Sequence, residues 1–263
     1  MRIGIITGSG TYALPDFQGA EPVDVETEFG TARVTEGRFA GVDVVHLSRH
    51  REGHERVSHQ VTHQANIAAL RDRGVQGILA MTVCGAVDPS IPLGTLVVFD
   101  DLHFLANRLP DGSICTLHTV PGRPGRGHWI AEDPFSPALR AALLTGAADA
   151  GLHARDGGCY GHVDGPRFNT KAEIRMLARC GVSAVSQTAG PETVLAGEAG
   201  IPFALLGYAT DYANGVQAVP TPVEELVRLI GESPASFAAT LAAALGRLGD
   251  ATLEPVGTHF SWD

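Results

Sequence analysis

Apolar residues occur in short runs that alternate with stretches of helical periodicity along the chain. Most runs of strand length are continuously apolar rather than alternating, which is typical of strands covered on both faces. The predicted strands span residues 2–7, 42–48, 78–84, 96–99, 182–186 and 203–209. Such strands predict the buried centre of a largely parallel or mixed sheet.

The stretches between these runs carry helix start and stop signals. Gly151, Gly181 and Gly200 follow three of the predicted helices, as expected for residues just past a helix end. The predicted starts are Ser136-Pro137, the capping boxes Thr170-Lys-Ala-Glu173 and Thr221-Pro-Val-Glu224, and Pro191, with a last helix continuing over residues 234–248. Strand–helix alternation without a linker predicts one α/β domain over residues 1–263.

Residues 106–128 interrupt the alternation. This stretch is rich in Gly, Pro and Arg and has no periodicity. Because a loop of this length in a compact domain is usually functional, mobile or at an interface, we expect a lid or a subunit contact there.

Composition narrows the class of protein. Of the 263 residues, 44% are hydrophobic and 18% are charged, which excludes a disordered chain. The formal net charge of −10 disfavours a general nucleic-acid binder but leaves room for a local cationic site. The four cysteines form no CxxC, and no signal segment or apolar run of membrane-spanning length is found. We therefore expect a cytoplasmic protein with free thiols.

Polar residues follow several predicted strands. Because ligands gather at the carboxyl ends of strands in α/β sheets, these positions predict a shared site. The residues are Ser9 within Gly8-Ser9-Gly10, Arg49, Thr82 and Thr188. Hydroxyls, a guanidinium fork and a helix N-terminus together favour phosphate. Each residue alone is equally consistent with an ordinary turn, salt bridge or cap.

Asp211 follows the apolar run that ends at residue 209. A carboxylate at the end of a buried strand tends to have a raised pKa and can act as a general acid. The alternative is a residue that caps a loop.

Histidines are concentrated between residues 46 and 63. His46, His50 and His54 are spaced by four, as are His59 and His63, which on one helix would suit zinc ligands. Because His46 falls in a predicted strand and no HExxH is present, we expect no metal site.

Seven short motifs, in order along the chain, resemble those of the trimeric purine nucleoside phosphorylases, and within that family the 5′-methylthioadenosine phosphorylases. The motifs are Gly8-Ser9-Gly10, Ser48-Arg49-His50, Gln64-Ala65-Asn66, Thr82-Val83-Cys84-Gly85, Gly165-Pro166-Arg167-Phe168, Gln187-Thr188-Ala189-Gly190-Pro191-Glu192 and Ala209-Thr210-Asp211-Tyr212. The resemblance implies a central mixed sheet, partly closed into a barrel and flanked by helices. It also implies phosphorolysis of a purine nucleoside by a homotrimer, with phosphate as co-substrate and no cofactor.

The resemblance further implies roles for individual residues. Phosphate binding falls to Ser9, Arg49, His50, Thr82 and Thr188, with His50 and Asp211 as the catalytic pair. The residues implied to contact the purine and the sugar are Val83, Cys84, Gly85, Phe168, Asn169, Gln187 and Asp211. His54 is implied to lie near the 5′ substituent, and His128 to reach a neighbouring subunit's site.

Four positions bear on which nucleoside is used. Asn169 and Asp211 differ from the Glu and Asn of 6-oxopurine enzymes and favour an adenine nucleoside such as 5′-methylthioadenosine. Gln187 replaces the family's ribose-facing methionine, and Ala213 stands where methylthioadenosine enzymes carry a second Asp. A 6-oxopurine phosphorylase, a water-using nucleosidase, a non-catalytic purine- or phosphate-binding regulator and a metal-dependent hydrolase remain alternatives.

Overall fold

The computed structural model describes residues 1–249 and 251–262. Its strands are β1 (Arg2–Thr7), β2 (Gln18–Thr27), β3 (Gly30–Phe39), β4 (Val42–Ser48), β5 (Gly77–Ala86), β6 (Leu96–Val98), β7 (Asp101–His103), β8 (Gly127–Ile130), β9 (Ala154–Asp156), β10 (Cys159–His162), β11 (Val182–Ser186), β12 (Phe203–Tyr212) and β13 (Thr258–Ser261). Its α-helices are α1 (His63–Asp72), α2 (Pro137–Asp149), α3 (Lys171–Arg179), α4 (Ala189–Glu198) and α5 (Val223–Leu248). Short 3-10 helices span Glu52–His54 and Ser58–Gln60.

Strand β5 is the centre of an eleven-stranded sheet. One edge of β5 pairs with β1 in parallel along its first half and with β11 in antiparallel fashion near its end, and the other edge pairs in parallel with β12. The predicted α/β class, with a mixed central sheet flanked by helices, is confirmed. The strand order does not close into a ring, so partial barrel closure stays a prediction. The single domain over residues 1–263 also stays a prediction.

Both faces of the central strands are buried, as their continuous apolar runs predict. Ile78 and Ala80 of β5 belong to the hydrophobic cluster that includes side chains of α1 and α4. Leu79 and Met81 belong to the cluster that includes side chains of α2 and α5. Because successive strand residues point to opposite faces, a run of four apolar residues serves two cores at once.

Two of the predicted side-chain caps at helix starts are confirmed, and the capping box predicted for α5 is wrong. The Ser136 side chain accepts a hydrogen bond from the Leu139 backbone N–H at the start of α2, and Thr170 with Glu173 forms the predicted capping box of α3. At the predicted capping box of α5, however, the N-cap is Pro222 and makes no side-chain capping bond. The Thr221 hydroxyl instead accepts a hydrogen bond from the backbone N–H of Tyr212.

Sequence patterning missed the β2–β3 hairpin. These strands pair from Gln18 with Arg38 to Thr27 with Gly30, and most of their side chains are exposed or half-buried. Charged residues therefore mask the alternation, and only Ala32, Val34 and Phe39 of these two strands are buried. In the aperiodic stretch, residues 106–126 carry no helix or strand, and β8 begins at Gly127.

Among the described residues, none of the helices combines the length and the apolar character needed to cross a membrane.

Candidate active site

Parallel strands bring the predicted site residues to one edge of the sheet. Thr7 at the end of β1 pairs with Ser48 at the end of β4, and Gly207 of β12 pairs with Thr82 of β5. A cavity of about 250 Å³ opens there. It is lined by thirteen of the fourteen predicted residues: Ser9, Arg49, His50, His54, Thr82, Val83, Cys84, Gly85, Phe168, Asn169, Gln187, Thr188 and Asp211.

Arg49 lies at the bottom of the cavity and is 2% exposed. Its Nε and Nη2 atoms donate to the two carboxylate oxygens of Glu192 at 2.6 and 2.8 Å, and Nη1 donates to the Met81 carbonyl at 2.7 Å. A guanidinium has five N–H groups, so two remain for a ligand in the cavity. Arg49 is thus a fixed cation rather than a flexible surface arginine.

Gly8 makes room for this arginine. A Cβ built on Gly8 would lie 2.5 Å from Nη1 of Arg49. The position of Arg49 therefore requires a residue without a side chain at position 8. The visible role of Gly8 is to let the guanidinium pack against the β1 turn.

Glu192 and His63 extend the buried polar group behind Arg49. Burial raises the pKa of Glu192, and the Arg49 guanidinium opposes that rise. His63 Nδ1 lies 4.0 Å from the Glu192 carboxylate, and burial lowers the pKa of His63 well below its usual value. Glu192 is therefore the counter-ion that compensates the buried charge of Arg49.

His50 is neutral at physiological pH. Burial, reinforced by the Arg49 charge, lowers its pKa to about 3. The Arg56 carbonyl lies 2.8 Å from Nδ1 and accepts the hydrogen of that nitrogen. The tautomer that this bond assigns leaves a lone pair on Nε2. The ring stacks on His54, with centroids 4.3 Å apart.

The hydroxyl-bearing residues are placed as predicted, but two amides at the helix N-terminus already have a partner. Thr82 Oγ1 donates to the Val83 carbonyl at 2.9 Å and lies 3.0 Å from the Ser186 hydroxyl. Thr188 is the N-cap of α4 yet makes no side-chain capping bond. The backbone N–H groups of Thr188 and Ala189 donate to the Tyr160 hydroxyl, so these amides are already used. These two amides therefore do not contribute to anion binding, and the predicted role of the helix N-terminus stays a prediction.

Asp211 lies within β12 rather than after it. The strand continues to Tyr212, and a register shift after Ala209 places Asp211 opposite Gly85. A bulge of this kind re-aims a side chain, here into the cavity. Burial raises the pKa of Asp211, although its Oδ1 accepts a hydrogen bond of 3.0 Å from Thr210, which lowers that pKa.

The residues near Asp211 form the entrance to this end of the cavity. Phe168 is 60% exposed, as a stacking platform open to an incoming ring would be. Asn169 donates through Nδ2 to Glu173 at 3.2 Å, and its backbone carbonyl accepts a hydrogen bond of 2.7 Å from Asn214. The Glu173 carboxylate also accepts hydrogen bonds from both Nη atoms of Arg167. Glu173, the third residue of α3, therefore anchors both Arg167 and Asn169 of the preceding loop.

His128 is the predicted residue that does not line the cavity. It is exposed on β8, where its ring lies near Phe260 of β13 and near Trp262, the residue after that strand. Its predicted contact with a neighbouring subunit stays a prediction. Among the described residues, no group of three or more His, Cys, Asp or Glu is placed to hold a metal ion.

Sequence reasoning missed several residues of the site. Ser58 and Asn214 line the cavity, as do Leu226 and Ile230 of α5, while Glu192 lies behind Arg49. Leu226 and Ile230 are apolar residues at helical spacing, a pattern that indicates packing rather than ligand binding. Glu192 falls in a quoted motif, but nothing in its spacing indicates a partner 143 residues away.

Comparisons with known proteins assign the chain to a family of enzymes. A sequence model described as the Phosphorylase superfamily matches residues 2–254. A protein of Thermococcus kodakarensis named probable 6-oxopurine nucleoside phosphorylase is 34% identical over 235 residues, which cover 88% of this chain and 86% of that one. The S-methyl-5′-thioadenosine phosphorylase of Pyrococcus horikoshii is 32% identical over 250 residues, covering 94% and 93%.

A solved structure shares the fold. The methylthioadenosine phosphorylase of Schistosoma mansoni in complex with adenine aligns with a TM-score of 0.86 and 26% identity. The alignment covers 95% of this chain and 92% of that one.

Proposed function

We propose that this chain, which belongs to the phosphorylase superfamily, cleaves the N-glycosidic bond of a purine nucleoside with inorganic phosphate as co-substrate. The products are a free purine and a pentose 1-phosphate. One observation carries the proposal: a single cavity holds a fixed cation, Arg49, and a largely buried carboxyl group, Asp211. The phosphate nucleophile needs the cation, and the purine leaving group needs the carboxyl group.

Phosphate binds at Arg49. The two N–H groups that Arg49 retains contact one face of the anion, and the Ser9, Thr82 and Thr188 hydroxyls provide further hydrogen bonds. Because Nε2 of His50 carries a lone pair, it accepts the P–OH hydrogen of HPO₄²⁻. The anion is thereby oriented with an unprotonated oxygen toward the sugar.

The purine leaves from the Asp211 end. In its protonated form Asp211 donates a hydrogen bond to N7, which makes the departing base a weaker nucleophile and a better leaving group. The sugar becomes oxocarbenium-like as the C1′–N9 bond breaks, and the phosphate dianion stabilises this positive charge before bonding to C1′. The protein contributes positioning and a fixed electrostatic environment.

The substrate that we propose is 5′-methylthioadenosine or a related 5′-modified adenosine. A protonated Asp211 donates to N7 while its other oxygen accepts from the 6-amino group of adenine. Leu226, Ile230 and Val57 give the same cavity an apolar wall, which suits a 5′ thioether better than a 5′ phosphate. The relatives of Pyrococcus horikoshii and Schistosoma mansoni carry names for this substrate.

A 6-oxopurine nucleoside is the second candidate substrate. The relative of Thermococcus kodakarensis is named for that class. Ala213, which lines the base end, removes a carboxylate that would repel a 6-keto oxygen.

The proposal includes a homotrimer that works in the cytoplasm without a cofactor. The free thiols support this location, since Cys84, Cys115, Cys159 and Cys180 are all unpaired. The stretch over residues 106–128 is our candidate for the subunit contact, and it exposes Ile114 and Val120 to about half their area.

A nucleoside panel tests the proposal. Purified enzyme is given methylthioadenosine, adenosine, methylthioinosine and inosine, each with phosphate or with sulfate at the same ionic strength, and free base is measured. We expect base release only with phosphate and the highest kcat/KM with methylthioadenosine. Full-rate release in sulfate would identify a nucleosidase, and measurable binding without release from any substrate would identify a regulator.

A further inference from the structure

A second cavity, of about 320 Å³, adjoins the active-site cavity. The two share Ser58 and Gln187 as lining residues. The rest of its lining combines the apolar side chains of Leu109 and Pro110 with side chains that can exchange hydrogen bonds, among them His59, His63, His162 and Asp164. The side chains of Gln187 and Ser58 are thus a polar partition with a cavity on each side.

The Gln187 amide is held in one orientation. Ser58 Oγ donates to its Oε1 at 2.8 Å, and its Nε2 donates to the Arg167 carbonyl at 3.1 Å. Gly165 leaves the space for this contact, because a Cβ there would lie 2.0 Å from Gln187 Oε1 and 2.1 Å from Ser58 Oγ. One hydrogen bond thus depends on three segments: Ser58 donates it, Gln187 accepts it, and Gly165 leaves the space for it.

This fixed amide has capacity left over. A primary amide offers two N–H donors and two carbonyl lone pairs, and the two bonds described use one of each. One N–H and one lone pair therefore remain for a hydroxyl group, which can both donate and accept.

Gln187 also lies where the sugar must lie. It directly precedes Thr188 of the phosphate end, and the same cavity contains Asp211 at the purine end. In phosphorolysis the pentose is bonded to the purine and attacked by the phosphate, so it occupies the space between these ends. The remaining amide groups therefore face a ring that carries hydroxyls.

The far side of the partition has unmet hydrogen-bonding capacity too. His63 is 2% exposed, and neither of its ring nitrogens has a hydrogen-bond partner within the described chain. The same holds for Nδ1 of His162, whose pKa burial lowers to about 3. Because unpaired buried imidazole nitrogens are unfavourable, this cavity favours hydroxyl groups or water over apolar groups.

We propose that Gln187, oriented by Ser58 and backed by the buried histidines of the second cavity, is a subsite that selects pentoses by their ring hydroxyls. The inference rests on the proposed function and adds that the enzyme discriminates ribonucleosides from deoxynucleosides. A methionine at position 187 would fill the same volume but offer no hydrogen bond.

Paired substrates test the subsite. The kcat/KM values of wild type, Gln187→Met and Ser58→Ala are measured with adenosine, 2′-deoxyadenosine and 3′-deoxyadenosine, and with the matching inosine series. We expect wild type to prefer the ribonucleoside over at least one deoxy analogue by about tenfold or more. Gln187→Met should reduce that preference roughly 3- to 10-fold, and Ser58→Ala should reduce it less.

Gln64→Met is the matched control. Gln64 donates to the Thr116 carbonyl at 2.8 Å and lines neither cavity, so its loss should leave the ribose preference unchanged. Phosphate KM is the second readout, since a Gln187 that merely tied down its loop would shift phosphate KM and all sugars alike. An unchanged preference in Gln187→Met overturns the subsite. Absence of any base release from wild type overturns the proposed function instead.

Discussion

Arg49 shows how one residue combines a structural and a functional task. Its guanidinium forms a buried bidentate pair with Glu192, donates to the Met81 carbonyl and has two further N–H groups. A buried charge without a partner is strongly destabilising, so the carboxylate behind Arg49 lets the fold keep this cation beside the cavity. The position of that carboxylate also means that substitutions of Arg49 affect stability and binding together.

Arg49→Ala should raise the phosphate KM by about 10²-fold and lower the free energy of unfolding by about 3–5 kcal/mol. The first effect comes from the lost cation and the second from the uncompensated Glu192. Steady-state kinetics and thermal unfolding measure the two separately. Thr188→Val is the milder companion, with a smaller rise in phosphate KM and little change in stability. Unchanged phosphate KM in both variants would remove these residues from the phosphate site.

Asp211 should determine the base preference. A protonated Asp211 satisfies N7 and a 6-amino group together, whereas a 6-keto oxygen would leave a polar group unpaired at about 1–3 kcal/mol. Wild type should therefore prefer adenosine to inosine by roughly tenfold to a hundredfold in kcat/KM. Asp211→Asn should shift the preference toward inosine. A ratio untouched by the substitution would assign base recognition to Asn169 or Asn214.

The same residue predicts a pH dependence. Burial raises the pKa of Asp211, so its protonated form persists to higher pH than for an exposed aspartate. Since that form is the donor to N7, kcat/KM for adenosine should fall as pH rises through the pKa of Asp211. Asp211→Asn carries no titrating proton at this position, so its profile should lack that alkaline limb. An identical limb in both proteins would show that another group titrates.

At the scale of elements, the sheet and several caps could be predicted from sequence, whereas the site's internal contacts could not. Continuous apolar runs predicted β1, β4 and β11 with their observed bounds. The β2–β3 hairpin was missed because its exposed charged residues mask the period of two. The partnerships Arg49–Glu192 and Ser58–Gln187 join residues more than 100 positions apart, and no local pattern encodes such a pairing.

Thr170→Ala should affect both helix α3 and nucleoside binding. The Thr170 hydroxyl caps α3, and its removal should lower the free energy of unfolding by about 1 kcal/mol. Because this cap also anchors the loop that carries Phe168 and Asn169, nucleoside KM should rise several-fold. Ser136→Ala removes the equivalent cap of α2, outside the cavity, and should reduce stability comparably without raising KM. Equal KM values in the two variants would separate the α3 cap from the site.

At the scale of the whole molecule, the assembly is the main prediction. The chain exposes apolar and aromatic side chains along the segment after β7 and on the β8–β13 pair, including Leu105, Ile114, Phe260 and Trp262. Burying them between subunits would stabilise an oligomer, and the family resemblance specifies a trimer. Sedimentation equilibrium should give three times the chain mass of 27.5 kDa. A fully active monomer would contradict this expectation.

Phosphorolysis differs from hydrolysis in where the phosphate is found after the reaction. The most direct measurement is therefore ³¹P NMR of phosphate and methylthioadenosine incubated with the enzyme. We predict a pentose 1-phosphate resonance that grows in step with free adenine while the inorganic phosphate signal declines by the same amount. Adenine release with all phosphorus remaining inorganic would show that water is the nucleophile and would contradict the assignment of Arg49 and its neighbours as the nucleophile's site.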